Sequence, residues 1–271
     1  MKIKSMTLIA ATMAATVACT SAPKKAETAQ PKVLVIYYSQ SNTTRTVAQE
    51  IQKQLNCDIA EIECVEPYSG DFGQTIQRWQ KEQQEGTLPE IKPLDKNISD
   101  YDVIFLGYPI WGGTYAIPVA TFLKNTDFAG KKLVPFCTFG SGGLNTSVAA
   151  LQNSVQNAQI QDGYGIRQAR IATAPAEVEQ FLIKLGLKEG ELEQLPEFSE
   201  QKDVTDAEKE IFNQACSSYQ MPLGTPVTVG SRPIKGGTEY LFTVEGQGGM
   251  KSQIYVLAKE NETPEFTQVV R

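Results

Sequence analysis

Apolar residues fall in short unbroken runs, separated by stretches in which they recur at helical spacing. Val33 to Tyr37 is one such run, the pattern of a parallel strand covered on both faces. From Thr44 the period changes, and Val47, Ala48 and Ile51 share one helical face. Ile59 to Val65 alternates and predicts a second strand. A loop with Pro67, Tyr68 and Gly70 follows, then a polar helix from about Phe72 to Glu85 that carries Ile76 and Trp79. Gly86 and Pro89 end it. Asp102–Gly107 predicts a third strand and Pro118–Lys124 a short helix. Lys132–Cys137 predicts a fourth strand, followed by a turn over 138–143 and a helix from Leu144 to about Asn157. A weak fifth strand falls at Gln159–Gln161 or a neighbouring stretch. The last helix is Ala176–Leu185, with Val178, Phe181, Leu182 and Leu185 on one face. Strands alternating with helices in this way predict an α/β fold, a doubly wound five-stranded parallel sheet of order 2-1-3-4-5 spanning 31–187.

The pattern then changes. Residues 188–203 are acidic, include Gly190 and Pro196, and read as a linker. Thr205 and Glu208 have capping-box spacing and open a helix with Ala207, Ile211, Ala215 and Tyr219 on one stripe. The β-rich runs Val227–Val229, Tyr240–Val244, Ile254–Ala258 and Phe266–Val270 follow, with Gly246–Gly249 as a hairpin loop between the middle two. Residues 204–271 therefore predict a small α+β domain with one helix and an antiparallel sheet.

At the other end, Lys2 and Lys4 precede an uncharged stretch, Met6–Ala18, too short to span a bilayer and suited to a secretory signal. With Thr16-Val-Ala-Cys19 this resembles a bacterial lipoprotein signal, although Thr16 stands where Leu is usual. The resemblance implies a signal peptide over 1–18, lipid on Cys19, a tether over 19–30 and a place in the bacterial cell envelope. Plain secretion and a retained cytoplasmic N-terminus are the alternatives. Removing 1–18 takes away two lysines and no acid, which deepens the net charge from −6 to −8.

That charge, with no basic block, argues against nucleic acid as a partner. The chain has no histidine, which removes Ser-His and Cys-His catalysis and imidazole metal ligation. Cys57, Cys64, Cys137 and Cys216 show no ligand spacing and read as buried free thiols.

In a doubly wound sheet the ligand lies at the carboxyl ends of the strands, where the strand order reverses. Three turns meet there. Ser39, Gln40, Ser41, Asn42, Thr43 and Thr44 offer hydroxyls, amides and the free N–H groups of a helix start, which suit a phosphate. The bland reading of this turn is a polar helix cap. Gly107–Thr114 holds Pro109, Ile110, Trp111 and Gly112, with Trp111 exposed at the sheet edge to stack on a flat ring. Its bland reading is a cap on the core. Thr138, Phe139, Gly140, Ser141 and Gly142 form a flexible polar turn.

YYSQSNTTR, GYPIWGGTY and PFCTFGSGG, in this order and spacing, resemble the flavodoxin family over about 31–187. The resemblance implies FMN, with the phosphate on Ser39–Thr44 and the isoalloxazine between Pro109–Gly112 and Thr138–Gly142. Asn42 stands where Gly is usual, Thr43 where Asn is, Gly112 where a second Trp is, and Phe139 where a polar residue is common. No proton-transfer pair is needed, since the flavin carries the electron chemistry. The implied function is electron transfer to a redox partner protein or, as an FMN-dependent oxidoreductase, reduction of a small acceptor such as a quinone. The alternative is a non-redox binding module with an altered flavin site and a partner-docking C-terminal domain. That domain is similar to the cystatin-type roll, but Arg232–Gly236 lacks the inhibitor family's Gln and Val, so a structural or docking role is expected. A hydrolase using Ser39 or Ser41 lacks a general base.

Overall fold

Strand β1 (Val33–Tyr37) leads through α1 (Thr43–Leu55) to β2 (Asp58–Glu61), and α2 (Phe72–Glu85) precedes β3 (Val103–Trp111). β3 turns back on itself as β4 (Thr114–Tyr115), and α3 (Ile117–Lys124), β5 (Lys132–Phe139) and α4 (Leu144–Ser154) follow. Two short strands, β6 (Gln159–Ile160) and β7 (Tyr164–Arg167), and α5 (Ala174–Lys184) complete the first part. This computed structural model describes residues 30–270. The signal segment 1–18, Cys19 and the tether up to residue 29 lie outside the described residues.

The sheet is parallel in the order β2-β1-β3-β5, and β6 and β7 share the last position against β5. Alternate residues of β1 face opposite cores, which is why the run is apolar throughout. Leu34 and Ile36 join Phe122, Phe128 and Leu151 on the α3–α4 side. Val35 and Tyr37 join Val47, Ile51, Val178 and Leu182 on the α1–α5 side. The expected second strand ends early, at Glu61. Ile62 and Cys64 still alternate because both are buried in the first core, and Cys64 makes only a single bridge to Ile91. Burial, and not strand pairing, produced that alternation.

The stretch 107–114 is a hairpin and not the expected loop. β3 keeps pairing with β5 as far as Pro109 opposite Thr138, then turns at Gly112 and Gly113, both with positive φ (57° and 87°). This register sets the second and third turns side by side.

The C-terminal part begins with β8 (Lys202–Asp203), so the segment expected as linker ends in a strand paired with Thr228 and Val229. α6 (Asp206–Cys216) starts in a reciprocal capping box. The Glu208 amide donates to Thr205 Oγ1 (3.3 Å), and the Thr205 amide donates to Glu208 Oε2 (2.9 Å). Strands β9 (Thr225–Ile234), β10 (Gly237–Glu245), β11 (Lys251–Lys259) and β12 (Glu265–Val270) form an antiparallel meander with β8 at its edge. Phe212 and Ala215 of α6 are buried with Val229, Phe242, Ile254 and Phe266. Ala207, expected on that stripe, is exposed.

Candidate flavin site

Asn42 caps α1 in the left-handed region (φ 63°, ψ −7°) and places no side-chain bond on the helix amides. Its Oδ1 instead accepts from Arg45 Nη1 at 2.6 Å. Arg45 also holds both carboxylate oxygens of Glu61 at 2.7 Å, so its charge is compensated on the outer side of the turn. Asn42 is therefore drawn outward, and the start of α1 keeps amides for an anion. Ser39 Oγ accepts from the Arg45 amide at 3.2 Å. The hydroxyls of Ser41 and Thr43 lie 3.3 Å apart. Gln40 accepts from the Tyr38 hydroxyl and donates to the Ser69 carbonyl, both at 2.7 Å, which fixes its amide between two elements.

Thr44 has a different task. It is buried, and its hydroxyl lies 2.8 Å from that of buried Thr138, which ties the first turn to the third inside the protein.

Trp111 is half-buried, not exposed as the sequence suggested. Tyr68 and Tyr38 meet it at steep angles, with ring centroids 5.1 and 5.8 Å away, so two aromatic walls hold the indole at the mouth of the sheet. Tyr68 is fixed in turn: its hydroxyl donates to Glu82, and the Arg78 guanidinium lies 4.0 Å over its ring. Burial, and for Tyr68 also Glu82, pushes both tyrosine pKa values up, so both stay neutral donors. At Gly112 the tip of Trp79 approaches so closely that a Cβ would sit 2.5 Å from the ring. Where the family pattern has a second Trp, this chain has a glycine with an indole from α2 packed onto it.

In the third turn, Phe139 is buried and Gly140 offers its carbonyl to Arg167 Nε at 2.8 Å. Gly142 packs against β12, where a Cβ would sit 2.2 Å from the Val269 carbonyl oxygen.

A cavity of about 730 Å³ lies among these turns, within the range usual for small-molecule sites. Of the sequence-expected residues, Gln40, Ser41, Thr43, Pro109, Ile110, Trp111, Gly112, Thr138, Phe139, Gly140 and Ser141 line it. Ser39, Asn42, Thr44 and Gly142 do not, because they hold the turns in place from behind. Phe72, Thr75, Ile76 and Trp79 of α2, together with Gln168 and Met221, complete the wall and were not expected there. The signal for α2 was present: Phe72, Ile76 and Trp79 form one apolar stripe on an otherwise polar helix.

A family model described as Flavodoxin matches residues 32–179, more than half of the chain. The chain belongs to the flavodoxin family. It is similar to a solved chain described as a flavoprotein from Bacteroides eggerthii DSM 20697, at 27% identity, with 58% of this chain and 99% of that one covered and a TM-score of 0.49. A flavoprotein from Lactobacillus acidophilus NCFM, solved in complex with FMN, is 23% identical over 54% of this chain and 99% of its own, with a TM-score of 0.46. No curated protein matches. The flavodoxin match ends before the linker, so the C-terminal domain is an addition to the family's part of the chain.

The cavity suits a flavin mononucleotide on its own chemistry. Ser41 and Thr43, at the start of a helix whose N-cap side chain leaves its amides unbonded, line the same cavity as Trp111, Ile110 and Phe139. Among the described residues no charged side chain lines it, so there the phosphate would be held by neutral donors and the helix dipole.

Proposed function

We propose that this flavodoxin-family chain binds FMN in the cavity between α1, the β3–β4 hairpin and the turn after β5, and works as a redox protein. The observation that carries this is the convergence of three separate turns on one cavity, lined both by a phosphate-type helix start and by a half-buried indole. FMN supplies the electron chemistry when bound. The chain's residues do the rest. Ser41, Thr43 and the α1 amides hold the phosphate, and Trp111 and Ile110 seat the ring. Tyr38, Tyr68 and Trp79 keep the Trp111 hairpin rigid.

We propose electron transfer or reduction of a small acceptor such as a quinone as the activity. Lipid on Cys19 would hold the chain at a bacterial envelope membrane. Among the described residues no helix is long and apolar enough to cross one. Titrating the purified chain with FMN tests the flavin reading: one FMN per chain with quenched flavin fluorescence is expected. No binding at high-micromolar FMN contradicts it. For the anchor, Cys19→Ala should move the protein from the membrane to the soluble fraction, and a variant that stays membrane-bound sinks that part.

A further inference from the structure

The C-terminal domain meets the flavin site at the glycine turn that follows β5. Among the described strands β12 is the end strand of its sheet, so one side of its backbone has no strand to pair with. The turn takes up that edge. The Val269 amide of β12 donates to the Ser141 carbonyl at 2.8 Å. Gly142 lies against the same residue, and its φ is outside the left-handed region. A side chain at 142 is therefore excluded by the Val269 carbonyl oxygen, 2.2 Å from where a Cβ would stand, and not by the bend of the turn.

Arg167, at the end of β7, makes the second attachment. It is buried, and it donates from Nε to the Gly140 carbonyl at 2.8 Å and from Nη1 to the Phe266 carbonyl of β12 at 2.6 Å. Its guanidinium also lies 4.2 Å over the Phe266 ring. One side chain thus ties the turn and β12 to the same point, through charge-assisted bonds that are stronger than those between neutral groups. Three residues further on, Arg170 pairs with Glu265 of β12 at 3.1 Å.

These contacts decide how the peptides of the turn face. Every described peptide bond is trans, so an N–H points opposite to the carbonyl of its own peptide. With the Gly140 carbonyl on Arg167, the Ser141 amide is turned away from Arg167. With the Ser141 carbonyl on Val269, the Gly142 amide is turned away from β12. Gly140 and Ser141 line the flavin cavity, as does Met221 after α6. The donors of this wall are thus oriented by Arg167 and β12, in a turn whose own glycines would leave it free.

We propose that Arg167 and β12 form a brace through which the C-terminal domain holds the glycine turn in its FMN-binding form, so that flavin binding and domain docking strengthen one another. Arg167 is a positioning residue, acting on the flavin through the Gly140 carbonyl. This coupling rests on the flavin reading of the cavity. By linkage, the factor by which docking favours FMN is also the factor by which FMN favours docking.

FMN titration and amide hydrogen exchange of the purified full chain test the brace, with wild type beside Gly142→Ala, Arg167→Met and Arg167→Lys, each checked for folding by far-ultraviolet circular dichroism. Gly142→Ala wedges the turn away from β12 without changing charge. Arg167→Met keeps the stem and removes the donors, and Arg167→Lys restores one cationic donor. FMN should bind about tenfold more weakly to Gly142→Ala and Arg167→Met, with Arg167→Lys in between. In wild type, FMN should slow exchange of the Val269 amide by about the same factor, and by less in Gly142→Ala. A residue that only stabilised the fold would not link exchange in β12 to flavin. Equal FMN affinity in all four proteins, or Val269 exchange unmoved by FMN in wild type, overturns the coupling and leaves the flavin site standing. No FMN bound by wild type overturns both.

Discussion

Asn42 shows how a departure from a family pattern is accommodated by its neighbours. The turn needs positive φ at this position, which a residue with a Cβ resists and Asn tolerates best after Gly. Arg45 holds the Asn42 side chain outward, and Glu61 holds Arg45. Asn42→Gly is therefore expected to change stability by less than about 0.5 kcal/mol, losing one exposed hydrogen bond and relieving strain. Asn42→Val should cost about 1–2 kcal/mol, because a β-branched side chain is strained there. Chemical denaturation of both variants checks the order, and equal stability of the two contradicts it. The identity of the turn residues was legible from the sequence. Which of them face the ligand and which support from behind was not, because Thr44 and Ser41 look alike until Thr138 is placed beside Thr44.

Among the elements, strands and helices of the first domain were legible wherever the apolar period was sustained, as in β1, β5 and α2. Reading failed where burial imitated pairing, at Ile62 and Cys64, and where pairing outran apolar character, at the end of β3. The β3–β4 hairpin matters most, since it converts a flexible loop into a rigid holder for Trp111. Trp79 was visible as part of an apolar stripe, but only the fold brings α2 over Gly112. Likewise Met221 and β12 are far from the flavin turns in sequence, and no local pattern announces a contact across that separation.

At the scale of the whole molecule, the four free thiols among the described residues are kept neutral by desolvation, although only Cys64 and Cys137 are buried as expected and Cys57 and Cys216 are partly exposed. Cys57 and Cys64 are pushed up to about 11 and Cys216 to about 12, from an ordinary value of 9.0, and Cys137 is also raised. A raised thiol pKa means that the unfolded chain loses its protons first. Stability from these groups is thus fully present below pH 9.0 and falls as pH climbs from there toward 11–12. Thermal unfolding midpoints should be level between about pH 7 and 8.5 and drop steadily above about pH 9. A midpoint that holds to pH 11 contradicts this. The buried tyrosines, raised by the same desolvation, act in the same direction at still higher pH.

The central claim is that three turns, brought together by the sheet register, bind one FMN against Trp111. The most direct test is the FMN dissociation constant of wild type beside Trp111→Ala, with far-ultraviolet circular dichroism to show that both are folded. The account expects one tight site in wild type and roughly tenfold weaker binding in the variant, equivalent to about 1.4 kcal/mol of lost stacking and burial. Equal affinity in the two proteins, or no FMN bound by wild type, would contradict it.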